Sequence, residues 1–268
     1  MTRKTFASLC LALTMALPAS AQSYDRVVQA EVLPGWRMED GHHMAAIRIT
    51  LNPGWKTYWR APGDAGIPPR FDWRGSGNLR NVDITWPTPE VFDQNGMRSI
   101  GYAQEVILPL RIAPKRAGKP VKFKAHLNIG VCRDICVPQD IKVTASLPPD
   151  VTKRDPRIAA AMAERPLSET EAHVHKATCR LSPTTDGLRI EARLQMPSAG
   201  TPELAVIETD NPQVWVAEAE TRREGGTLVA TTEMMHVGGE PFMVDRSGLR
   251  FTVIGSRQAV DIHGCTSG

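Results

Sequence analysis

The chain has 268 residues and a formal net charge of +3, from 32 Lys and Arg against 29 Asp and Glu. A balance this close to neutral gives no electrostatic footprint for a nucleic acid partner. With 21 Pro and 21 Gly, long helices are disfavoured and a turn-rich β protein is favoured, in a length that allows two domains of roughly 100–150 residues each.

The N-terminus reads MTRKTFASLCLALTMALPASAQ. Arg3 and Lys4 form a charged start, Phe6 to Leu17 an apolar run, and Ala19-Ser20-Ala21 a small-residue cleavage site. The run is shorter than the roughly 20 residues a bilayer span needs, so residues 1–21 are expected to be a secretory signal peptide cleaved after Ala21. Cys10 would leave with it, and its place in mid-run argues against a lipoprotein anchor. The expected mature protein is exported, to the periplasm, and has no membrane span of its own.

Short alternating or β-branched runs then recur between turn signals: Arg26–Leu33, Met44–Leu51, Val82–Trp86, Val106–Ile112, Val121–Ile129 and Ile141–Leu147. This spacing predicts an all-β sandwich over residues 22–148 rather than βαβ units. Between them, Gly54–Gly66 is rich in Trp, Tyr, Pro and Gly and reads as a core-plugging loop with Trp55 and Trp59 buried. Residues 149–170 change texture. Asp155 can cap, Pro156 suits a first helical turn, the alanines from Ala159 propagate and Pro166 stops, which predicts a short helical linker. The strand pattern resumes over 171–268 with Leu188–Leu194, Leu204–Glu208, Val214–Ala219, Thr227–Glu233 and Leu249–Ile254, giving a second β-sandwich domain.

Four cysteines remain after the leader: Cys132, Cys136, Cys179 and Cys265. An even number in an exported protein makes disulfides the default. The domain reading pairs Cys132 with Cys136 in the first domain and Cys179 with Cys265 near the ends of the second. Chain entropy assigns the long bridge about 4.6 kcal/mol and the short one about 2, so Cys179–Cys265 reads as a structural staple. In one extended strand Cys132 and Cys136 would lie about 13 Å apart, beyond disulfide reach. Both flanks read as strands, so Arg133-Asp134-Ile135 can form a hairpin turn that sets the cysteines face to face. Arg133 would favour thiolate at Cys132 and Asp134 would oppose it. Pro138 withholds an N–H, which suits an exposed edge strand. Three readings stay open for the pair: a redox-active couple, an inert hairpin disulfide, or part of a metal site.

The chain here resembles a known family, the N-terminal periplasmic domain of the bacterial thiol:disulfide interchange protein DsbD, and still more the corresponding region of ScsB-type copper-sensitivity suppressors. The resemblance rests on Gly54-Trp55-Lys56-Thr57-Tyr58-Trp59-Arg60-Ala61-Pro62-Gly63-Asp64-Ala65-Gly66, on Trp86-Pro87 through Phe92, on Ser99-Ile100-Gly101-Tyr102 with Leu108-Pro109-Leu110, and on Gly130-Val131-Cys132 through Cys136-Val137-Pro138. It covers most of residues 30–147; beyond them the likeness to ScsB-type proteins is loose. It implies an immunoglobulin-like sandwich; the second domain, read from its strand pattern, is expected to be a second immunoglobulin-like sandwich that duplicates the architecture and not the sequence. The resemblance also implies that Cys132 and Cys136 shuttle electrons from a membrane-embedded thiol reductase to periplasmic thioredoxin-fold proteins. The family's cap loop falls on Asp93, Gln94, Asn95, Gly96 and Met97, with Phe92 or Met97 in the place of its shielding aromatic. The loop between the cysteines is shorter than in DsbD. No membrane-embedded or thioredoxin-like segment follows in the sequence, so a separate partner is expected.

Asp64 could tune a thiol's protonation if its loop folds over the hairpin, and Cys136 is the expected attacking thiol because Val137-Pro138 leave its edge open. No bound cofactor is expected. The alternatives are a copper-tolerance protein holding Cu(I) with nearby Met or His, or a structural docking domain. Of the soft-ligand clusters, His42-His43-Met44 reads as a solvated turn, His173 and His175 could share one strand face, and Met234-Met235-His236 reads as strand and turn. No hydrolase triad, zinc motif or phosphate loop stands out.

Overall fold

The computed structural model describes residues 27–94 and 97–268, the side chain of Gln94 excepted. The leader, Met1–Ala21, and two residues of the expected cap loop, Asn95 and Gly96, lie outside the described residues. The first half contains β1 (Val28–Arg37), β2 (His43–Leu51), β3 (Lys56–Tyr58), β4 (Arg70–Asp72), β5 (Leu79–Ile84), β6 (Glu90–Gln94), β7 (Met97–Ala103), β8 (Glu105–Pro114), β9 (Val121–Cys132) and β10 (Cys136–Leu147). One sheet runs β1-β2-β8-β5 and the other β10-β9-β3-β7-β6, with β4 also on β9.

The two sheets share one apolar cluster because each strand sends alternate residues inward. In β9, Val121, Phe123, Ala125, Leu127, Ile129 and Val131 are buried in that cluster, while Lys122, Lys124 and Asn128 are exposed on the outer face. Strand β2 is buried on both faces. Ala45, Ile47 and Ile49 face the shared core, and Met44 and Ala46 face outward onto a second cluster with Leu33, Trp36 and Ile158. Ile158 belongs to α1 (Pro156–Ala163), whose N-cap Asp155 accepts a hydrogen bond from the Arg157 amide at 2.9 Å. A helix therefore stands where the sequence predicts one, and it packs on the outside of this sheet. The solvated turn expected at His42–Met44 is displaced. The turn precedes His42, β2 begins at His43, and the His43 ring is fully buried with Nε2 2.6 Å from the Pro34 carbonyl. A bulge at Pro34-Gly35 makes room for this. Gly35 has φ +64°, and a Cβ there would sit 1.8 Å from the Met44 carbonyl oxygen.

The second half contains β11 (Leu167–Ser168), β12 (Lys176–Pro183), β13 (Leu188–Gln195), β14 (Leu204–Thr209), β15 (Val214–Val216), β16 (Glu220–Glu224), β17 (Thr227–His236), β18 (Leu249–Ile254), β19 (Ala259–His263) and β20 (Thr266–Ser267). Its sheets run β11-β19-β18-β14 and β15-β17-β13-β12-β20, with β16 on β17, around a separate cluster that includes Ile190, Leu194, Phe251, Val253 and Ile262. Cys179 in β12 is bridged to Cys265, just before β20, with a Cα separation of 5.8 Å. The protein is thus mostly β, in a sandwich-like arrangement of four sheets. Among the described residues no helix is long and apolar enough to cross a membrane.

The halves meet along a seam. Leu204, Ile254 and Ala259 join the apolar cluster of the first half. Arg60 crosses it, donating from Nε and Nη2 to the two carboxylate oxygens of Glu208, at 3.0 Å each, and from Nη2 to Thr252 Oγ1 at 3.0 Å. Asp261 lies 3.8 Å from the same guanidinium and is held by Arg250 Nε at 2.7 Å. Burial lowers the Arg60 pKa, against the opposing pull of Glu208. A second ion pair, Arg98 with Glu218, ties β7 to the segment before β16.

Replacing both Cys179 and Cys265 by Ser should cost about 2–5 kcal/mol of stability. Urea unfolding checks this, and a midpoint equal to that of the parent would show that the bridge is not a staple.

Candidate redox site

The hairpin β9–β10 places Cys136 directly opposite Cys132, Val137 opposite Val131 and Pro138 opposite Gly130. The two cysteines are joined, with Cα atoms 4.1 Å apart. Strand β10 is the edge of its sheet, so Pro138 removes an amide that no neighbour needs. Cys132 is only 2 % exposed, whereas Cys136 is exposed. One sulfur-bearing residue thus faces incoming groups and the other backs it from inside.

Register explains what surrounds the bond. Strand β3 is inserted between β9 and β7, with Lys56 opposite Cys132 on one side and Ala103 on the other. In β6 and β7, Phe92 is opposite Ser99. Residues directly opposite one another share a face, and so do residues two apart. Cys136, Cys132, Lys56, Tyr58, Ser99 and Phe92 therefore all lie on the face turned away from the core. Val131, Thr57, Trp55 and Trp59 point the other way, and Trp59 is 0 % exposed. The sequence reading of residues 54–66 as a core-plugging loop with both tryptophans buried holds, but it misses the three residues of strand within.

Tyr58 is the residue that reading passed over. Its hydroxyl lies 2.8 Å from Cys132 Sγ and 3.3 Å from Cys136 Sγ. A disulfide sulfur carries no hydrogen, so the phenol is the donor to both. Burial pushes the Tyr58 pKa up, which keeps it a donor at neutral pH. Room for its ring comes from Gly130, where a Cβ would stand 2.8 Å from Ile67 Cβ and 3.1 Å from Tyr58 Cδ2. Three residues are too few for alternation to be read from the sequence, and only the pairing of β3 sends Tyr58 and the cysteines to one face.

A cavity of about 560 Å³ adjoins Cys132 and is lined also by Lys56, Phe92, Asp93, Arg133 and Asp134. The Lys56 ammonium donates to Ser99 Oγ at 3.0 Å and lies 4.9 Å from the Phe92 ring centroid. Burial lowers its pKa. Arg133 is held by Asp134 at 3.0 Å and lies over the Trp55 ring at 5.5 Å, so its charge is largely matched before it reaches Cys132.

Of the expected cap loop, Asp93 and Gln94 end β6 and Met97 begins β7, with Gln94 opposite Met97. Phe92 reaches the cavity, while Met97 is 60 % exposed. Asp64, expected near the thiols, lines a different cavity of about 340 Å³ at the seam, with Arg98, Trp215 and Glu218. From the same loop, Ile67 lies against Gly130. The other soft-ligand clusters are dispersed. His173 and His175 are exposed and precede β12 rather than sharing a strand face, Met234 is fully buried, and His236 Nδ1 accepts the Gly238 amide at 3.2 Å. Among the described residues no group of three or more His, Cys, Asp or Glu could hold a metal ion.

Fold and site together describe a β-sandwich protein carrying a half-exposed disulfide at a sheet edge. Residues 26–148 match the family described as "Thiol:disulfide interchange protein DsbD, N-terminal". The fold is similar to the crystal structure of the N-terminal periplasmic domain of ScsB from Proteus mirabilis, at 20 % identity, over 90 % of this chain and 92 % of that one, with a TM-score of 0.61. No curated protein sequence matches the chain.

Gly130→Ala should push Tyr58 and Ile67 off the hairpin and destabilise the protein by about 1–3 kcal/mol. An unchanged urea midpoint would contradict the packing described around Tyr58.

Proposed function

We propose that this protein is a periplasmic thiol–disulfide exchange protein whose reactive couple is Cys132/Cys136. The observation that carries the reading is the asymmetric burial of a disulfide at a sheet edge, with Cys136 exposed, Cys132 buried and the Tyr58 hydroxyl within hydrogen-bonding reach of both sulfurs. The family match over residues 26–148 supports the same role.

In the reduced protein, the Cys136 thiolate attacks one sulfur of a partner disulfide, forming a mixed disulfide and releasing the partner's other sulfur as thiolate. Cys132, ionised, then attacks Cys136 Sγ. The Cys132–Cys136 bond forms, the mixed disulfide breaks, and the partner leaves with both thiols after taking up protons from water. Two electrons have passed to the partner. Tyr58 donates a hydrogen bond that is stronger to a thiolate than to a disulfide sulfur, so it favours the reduced, ionised state of Cys132.

The expected donor is a membrane-embedded thiol reductase of the DsbD type, and the expected acceptor a thioredoxin-fold protein. Exposed Val91, Met97 and Ile135 on the two neighbouring hairpins suit a small, transient apolar contact. The expected cap loop at residues 93–97, with Phe92, is the candidate cover of the oxidised pair. Residues 22–148 would form the redox domain, 149–170 its connector and 171–268 a second domain, exported behind the leader at 1–21. A role in copper tolerance extends this reading, and Cu(I) held by the cysteines is its rival.

Titration against a dithiol couple, with and without Cu(I), tests the reading. The expected result is a reversible couple above roughly −300 mV that copper leaves in place. A bond that resists reduction favours structural docking, and Cu(I) binding that blocks oxidation favours the metal reading. Trapping makes a separate prediction. Cys132→Ser should accumulate a mixed disulfide through Cys136 with a thioredoxin-fold substrate, and Cys136→Ser should accumulate none. Equal trapping by both variants would remove the assigned order of attack.

A further inference from the structure

The residue beside Tyr58 but one, Arg60, belongs to neither the core nor the redox cavity. Tyr58, Trp59 and Arg60 point three ways. The Tyr58 hydroxyl reaches the sulfurs, the Trp59 ring is 0 % exposed in the core, and the Arg60 guanidinium crosses the seam, stacked on Trp59 at 3.9 Å. The Trp59 amide is pinned to the Ile100 carbonyl at 3.0 Å, so little slack separates Arg60 from Tyr58.

The groups that grip Arg60 sit on strands, not loops: Glu208 on β14, Thr252 on β18 and Asp261 on β19. The Arg60 side chain is 12 % exposed and that of Asp261 16 %. Ion pairs this buried lose much of their attraction to desolvation, and their best-attested use is to fix register. The same half of the chain also holds the strand on Tyr58's other side, because Arg98 of β7 pairs with Glu218.

We propose that the C-terminal half positions the redox site, with Arg60 acting as a positioning residue that holds the Tyr58 hydroxyl on the Cys132/Cys136 sulfurs. The inference rests on the exchange reading above. It gives the second sandwich a part in setting how readily the pair is reduced, without touching it.

The experiment measures the equilibrium of Cys132/Cys136 with a dithiol couple in the full chain, for the parent, Tyr58→Phe, Arg60→Gln, Glu208→Gln and the Arg60→Gln/Tyr58→Phe double variant. Thermal unfolding is followed alongside. Tyr58→Phe should shift the equilibrium toward disulfide by roughly three- to tenfold. Arg60→Gln and Glu208→Gln should shift it the same way, and the double variant should match Tyr58→Phe alone, since Arg60 works through the hydroxyl. Glu208→Gln alters the clamp from the far side with an isosteric amide, so the comparison stands even if Arg60→Gln does not fold. Seam variants that lose thermal stability while keeping the parent equilibrium would overturn the inference, and so would effects that add to that of Tyr58→Phe. A pair that no thiol couple reduces overturns the exchange reading and this inference together. A pair that is reducible but indifferent to the seam overturns only the latter.

Discussion

Strand β3, the three residues Lys56–Tyr58, lies between β7 and β9, and its backbone pairing decides where the surrounding side chains point. Because Lys56 is opposite Cys132 and Thr57 opposite Val131, the Tyr58 ring comes up against Gly130, where a Cβ would stand 3.1 Å from its Cδ2. A slip of one residue would turn Tyr58 into the core and Trp59 out of it. The two buried tryptophans flanking β3 oppose such a slip, since each contributes a large apolar area that only the observed register buries. Packing on the inner face thus fixes chemistry on the outer one.

The two disulfides are set apart by the same geometry. Cys179 is 1 % exposed and its bridge closes a separation of 86 residues, so it removes much freedom from the unfolded chain and offers little to attack. Cys132–Cys136 closes a separation of 4 residues between strands already paired along their whole length. It adds little to a hairpin that the sheet holds anyway, so breaking it need not unfold anything. A bond meant to open and close is best placed where the rest of the fold does not depend on it.

The seam between the halves has a mixed character. Leu204, Ile254 and Ala259 contribute apolar contact, and the Arg60 cluster contributes directional bonds at a site where unpaired charge would be expensive. Apolar surfaces can slide, whereas a guanidinium bidentate on one carboxylate has a single good geometry. The combination explains how two β halves with largely separate cores come to hold one orientation, with Arg60 reaching from just beyond β3 and Arg98 from β7.

The sequence alone determined the β character of both halves, the capped helix at Pro156–Ala163, the hairpin that brings Cys132 to Cys136, and the burial of Trp55 and Trp59, because each follows from local spacing, capping or alternation. It did not place His43, which entered the core through a bulge that no periodicity announces, nor Asp64, whose loop turned a different residue toward the hairpin. Tyr58 over the sulfurs and Arg60 across the seam were decided only in three dimensions. A strand of three residues is too short to show a period, and the partners of Arg60 lie roughly 150 to 200 residues further along the chain.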